Sequence, residues 1–188
     1  MGDHEFDDFA QQIADAAEAF LRGLEAVSKE EDAGSAVPLM LLEVSQLLLA
    51  GARIGAQQDF QPETEYQPDV GPDPDLDAMR ERLAAKLGPV DTYSHNFEPY
   101  DPETFTSNVS DDLTGIATDI ANGLRHFRAG NVEEALWWWQ YSYLASWGSQ
   151  AIGVLSALHS VVAHSRLDRD YDGEDEQLEA ADELLDQP

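Results

Sequence analysis

The stretch ALWWWQYSYLASWGSQAIGVLSALHSVVAHSR, residues 135–166, carries no Asp, Glu, Lys or Arg until Arg166 itself. At 1.5 Å per residue a helix of that length spans a bilayer. Yet Gln140, Ser142, Ser146, Ser149, Gln150, Ser156, His159, Ser160 and His164 interrupt it, and each would need a polar partner in hydrocarbon. The reading that avoids this cost is a long, Trp-rich helix buried largely within a water-soluble protein. A second apolar stretch, Val37 to Ala52, contains Glu43 and is short for a span, so no membrane partner is expected.

Charge is distributed in a way that locates the core around these stretches. The 188 residues hold 38 acids against 10 bases, a net charge of −28. Residues 1–32 carry 10 acids, 57–77 carry 7 with no base, and 166–188 carry 10, whereas 33–56 holds only Glu43 and Arg53. Unpaired charge is costly to bury, so the acid-rich segments are solvated faces, connections and a tail. Such an excess repels nucleic-acid phosphates and anionic lipid and leaves basic partners, cations or plain solubility, with a protein partner of unknown identity as the expectation. With 0 Cys there is no disulfide and no thiolate chemistry. The acidic start, Met1 to Asp8, lacks the basic and apolar pattern of an export signal, and a cytoplasmic location is expected.

Periodicity predicts an all-α, single-domain bundle of about five helices over 1–167, followed by an acidic tail, 168–188, flexible or partly helical. Helix one, about 5–28, sets Phe6, Phe9, Ile13, Ala17, Phe20, Leu24 and Val27 on one stripe. Helix two, about 36–57, is apolar nearly all round and is expected at the centre, with Ser35 as cap and Pro38 in its first turn. Asp73 or Asp75 caps a short helix, 76–87, that Gly88-Pro89 ends. Ser110 caps a fourth, Gly130 stops it, and Asn131 starts the fifth and longest, which can break at Gly148 or Gly153. The tight turn at Gly130 makes helices four and five an antiparallel hairpin. Residues 58–71 and 91–109 are read as irregular, and no stretch shows strand alternation.

Several segments resemble one family: Pro38 to Leu42, Ser45 to Arg53, Pro68 to Asp75, Leu87 to Asp91, Ser110 to Leu113, and above all Glu134 to Gln140 with its triple Trp. In order, over about residues 5–167, they are similar to a bacterial domain of unknown function numbered 5063. The resemblance implies a family and no site residues.

Candidate chemistry is sparse, so no catalytic, cofactor-binding or metal-binding residue is assigned. Trp137, Trp138 and Trp139 point about 100° apart on a helix, so at least one must be partly exposed, either wedged against a loop or offering a recognition patch. Glu43 and Arg53, ten residues apart, cannot pair with each other; Arg53 is expected to reach Asp111, Asp112 or Asp119 in a buried ion pair, or the two mark a polar pocket. Asp112, Asp119 and His126, spaced by seven, lie on one strip as a solvated edge or, with Glu43, a metal site between helices. His159 and His164 diverge. The small residues Ser142, Ser146, Ser149, Gly153, Ser156 and Ser160 form a strip suited to close helix approach or to a groove. In the tail, Asp168, Asp170, Asp172, Gly173 and Glu179 match a calcium loop, against the simpler reading of a solvated tail. The function expected is a non-catalytic protein-interaction or scaffold module. Calcium binding through Asp168 to Glu179 is the alternative, and a small enzyme with an inter-helix pocket a distant third.

Overall fold

The computed structural model describes the backbone of residues 3–62, 70–96, 100 and 103–185, with side chains from residue 6 to 167 of these except Ala33. Five main helical rods build it. α1 (Asp3–Lys29) and α2 (Ala33–Gly55) pack together, and α3 (Asp77–Leu87) lies on α4 (Val109–Arg128). α4 folds back on α5 (Val132–Ser142), which continues through a π-helical turn, Tyr143–Trp147, into α6 (Gly148–Leu185). The stripe expected on α1 is buried from Phe9 to Val27 and meets Met40, Val44, Leu47 and Ile54 of α2. All-α describes the body of the molecule.

One short sheet corrects the reading of 91–109 as irregular. β1 (Thr92–His95) pairs antiparallel with β2 (Phe105–Asn108), in the register Thr92 to Asn108 and His95 to Phe105. Strands of four residues are too short to show alternation, and their β-prone Thr, Tyr, Phe and Thr are diluted by the Pro-bearing connection. The hairpin is anchored at its base. The Asp91 carboxylate accepts from the Ser110 N–H and hydroxyl, both at 2.8 Å, so it serves the start of α4 from outside. Asn108, not Ser110, is the cap position.

Helix two also departs from expectation. Asp32 is its cap, accepting from Gly34 N–H at 3.0 Å and from the Ser35 hydroxyl at 2.6 Å. The helix therefore starts at Ala33, which puts Pro38 beyond the first turn, where its ring removes a helical donor. Nor is α2 central: Leu39, Leu42 and Leu49 are exposed, Leu49 by 66%. Among the described residues Gly34–Gly55 is the helix long and apolar enough to cross a membrane, and 33% of its most apolar window is buried. Its inner face carries Gly51 and Gly55, against which the rings of Tyr143 and Trp147 lie; a Cβ at Gly51 would come within 2.6 Å of both rings.

The α4–α5 turn follows the expected design. Gly130 takes φ of +84°, Asn131 N–H returns to His126 O and Gly130 N–H to Phe127 O, the bond pair that closes a Schellman motif. Beyond it the long helix does not break at Gly153. At Gly148 it is wide: Gly148 N–H bonds Tyr143 O, five residues back, and a Cβ on Gly148 would sit 2.4 Å from that oxygen.

Candidate functional site

The sequence-predicted residues scatter. Arg53 is exposed, donates to Gln12 Oε1 at 2.6 Å and lies over the Phe9 ring at 5.8 Å, so none of the three expected aspartates receives it. Position decides this: Arg53 falls on the α1-facing edge of α2, away from α4. Glu43 is half-buried over the Gly23 backbone, without a hydrogen bond or ion pair among the described residues, and burial pushes its carboxyl above the usual range. Among the described residues the two line no shared pocket.

On α4, seven-residue spacing leaves successive side chains about 10 Å apart along the axis, too far to share one ion. Asp112 accepts from the Tyr93 hydroxyl at 2.8 Å, while Asp119 is half-buried, its carboxyl pushed up by burial and by the charge of Asp73. His126 is buried against α5, where burial lowers its imidazole and Glu134 partly offsets the effect. No group of three or more His, Asp or Glu able to hold a metal occurs among the described residues. The helical backbone continues through Asp168 to Glu179, whose side chains lie outside the described residues. His159 and His164 are exposed.

The triple Trp is divided as helical geometry requires. Trp138 and Trp139 donate through Nε1 to the carbonyls of Asp119 and Ile120, at 2.8 and 3.1 Å, so two adjacent indoles clasp two adjacent carbonyls of α4. Trp139 is buried and Trp138 partly so. Trp137, like Trp138, is partly exposed, and its ring stacks on Tyr141 at 5.2 Å. Gln140, one of the polar residues that argued against a membrane span, is buried and satisfied: it accepts from Phe60 N–H and donates to Ile54 O, fastening the end of α2.

Where the strip of small residues runs, the structure opens a groove of about 710 Å³. One wall is α6, with Ser149, Gly153, Ser156 and Ser160 of the strip and Ile152 and Val161 beside them. The other is the whole of β1 with Pro89, Val90 and Asn96. Ser142 is not part of it, being buried and bonded to Trp138 O. Gly153 lets the two walls meet at one point: a Cβ there would stand 2.9 Å from the Tyr93 hydroxyl and 3.3 Å from the His95 ring. Tyr93 and His95 stack at 4.9 Å, nearly parallel. Their shared neighbour is Asp112. Burial raises its carboxyl, while the Tyr93 hydrogen bond and the charge of His95 pull the other way, and Tyr93 itself is held firmly protonated. Sequence reasoning found the α6 wall but missed Tyr93 and His95, which stand two apart on a strand too short to recognise.

This body is shared with other proteins. The family model described as Domain of unknown function (DUF5063) matches residues 4–164, most of the chain. The chain belongs to that family. The match takes in every element of the groove, so both walls are inside the DUF5063 domain and residues 168–188 are outside it. The crystal structure of protein BF1032 from Bacteroides fragilis is similar to this DUF5063 chain, with a TM-score of 0.67 and 21% identity over 83% of this chain and 93% of that one. That likeness shows a common fold. None of the curated proteins matches the chain.

Proposed function

We propose that this DUF5063 protein is a non-catalytic protein-interaction module whose binding site is the groove between β1 and α6. The observation that carries the reading is the groove's lining: small, aliphatic and hydroxyl-bearing side chains plus the edge of a strand, with Tyr93 and His95 the titratable members among the described residues. Tyr93 is committed to Asp112, an arrangement that stiffens the hairpin and leaves a surface suited to contact. The net charge of −28 supports a protein partner over nucleic acid or an anionic membrane.

The test fills the groove. Ser156 is exposed on α6 and lines it, so Ser156→Trp occupies the space without touching the core. The wild-type chain should recover a stoichiometric protein from a native extract and Ser156→Trp should not. A partner held equally by both places the contact elsewhere and sinks this reading.

A further inference from the structure

We propose that the groove takes an extended, cationic segment of a partner protein, added to β1 as a third strand. The inference rests on the reading that the groove is the binding site, and it specifies how the occupant is held.

The phase of the hairpin carries the argument. In an antiparallel pair, directly opposed residues alternate between those that exchange both backbone hydrogen bonds and those that exchange none. Val109 N–H donates to Asp91 O at 2.8 Å, so the pair just before the strands belongs to the bonded class. By the observed register Tyr93–Ser107 and His95–Phe105 belong to it as well. Thr92 and Ser94 therefore turn their N–H and C=O away from β2, and neither backbone finds another partner among the described residues. That outward edge is the one the groove runs along: five consecutive residues, Thr92 to Asn96, line it, and β2 contributes none. Consecutive lining by one strand means that the cavity meets it edge-on. Tyr93 and His95, pointing to the α6 side, close the floor over Gly153.

A free edge beside a wall of Ser and Gly suits an extended chain, since added-strand recognition draws affinity from main-chain bonds and specificity from alternate side chains. β1 offers about 13 Å of edge. Charge selects the occupant. Among the described residues no Lys or Arg lines the groove, and the bases that form ion pairs, Arg22, Lys29, Arg80, Arg82 and Arg128, sit on α1, α3 and α4. Asp112, bonded to the Tyr93 hydroxyl, is the carboxylate next to the groove floor, and together with the net charge of −28 it favours Lys and Arg on the incoming segment.

The probe is a displayed library of random twelve-residue peptides, selected on the full chain and counter-selected on Ser156→Trp. Peptides enriched in Lys and Arg are expected. They should slow hydrogen exchange at the Thr92 and Ser94 amides and weaken at least tenfold when alternate peptide amides are N-methylated. Ser94→Pro, which removes an outward donor and leaves the β1–β2 bonds intact, should weaken them as much. If that variant misfolds by circular dichroism, the methylated peptides decide alone. Peptides that need the groove but are acidic overturn the cationic occupant, and peptides that tolerate N-methylation and leave both amides exchanging overturn strand addition, while in either case the site stands. A library yielding no peptide that tells wild type from Ser156→Trp overturns both.

Discussion

Gly123 faces the indole of Trp139 so closely that a Cβ would lie 2.1 Å from Nε1. The clash is with a ring held by its own bond to Ile120 O and by the surrounding core, so it cannot swing away. Gly123→Ala should therefore destabilise the fold by about 1–3 kcal/mol, despite alanine's better helix propensity, as overpacking outweighs backbone entropy. Urea unfolding measures it, and a gain in stability would mean that the ring is loose. His126 makes a second prediction. It is 2% exposed, its Nδ1 has no hydrogen bond among the described residues, and burial holds its pKa below 6.5. Above pH 6.5 folded and unfolded imidazole are both neutral and nothing changes. As pH falls below 6.5 the unfolded chain binds the proton first, so stability is lost. His126→Gln should remove that loss, making the stability difference between variant and wild type grow in the variant's favour from pH 7 to pH 5. A pH-independent difference would show that His126 titrates normally.

The π-turn determines how the long helix meets the core. Its inward residues, Leu136, Trp139, Tyr143, Trp147, Ala151, Val154 and Leu158, run by steps of 3, 4, 4, 4, 3 and 4. A regular helical face alternates threes and fours, so this run holds one residue too many, and the wide turn at Tyr143–Trp147 absorbs it. Deleting the exposed Ala145 should let the turn close into ordinary α-helix with both ends in phase, at a cost of about 1 kcal/mol or less. Deleting the equally exposed Ile152 should rotate Val154 and Leu158 out of the core and cost several times more. Equal melting temperatures for the two deletions would refute the account. The three consecutive steps of four stand in the sequence and already signal the irregularity. Other elements were legible for the same reason: the α1 stripe and the Gly130 turn are set by local spacing and by a backbone angle that favours glycine. The hairpin was not, because four residues are too few for a period. Neither was the exposed face of α2, because apolarity does not record whether a neighbour exists to cover it. The partner of Arg53 is a tertiary fact.

At the scale of the whole molecule the charge is a standing load. Five ion pairs are present among the described residues against a net −28, so folding compresses unpaired carboxylates. Screening relieves that repulsion, and the melting temperature should climb by several degrees between about 10 mM and about 500 mM NaCl. A melting temperature that falls with salt would mean that attractive pairs dominate. The same screening should weaken capture of a cationic segment, so stability and affinity should move in opposite directions along one salt titration. The position of α6 bears on a different hazard. Bare strand borders commonly template fibrils by stacking hairpin upon hairpin. Here a helix stands like a kerb beside the open border, so a second folded copy bringing its own border alongside should meet α6 before it reaches β1.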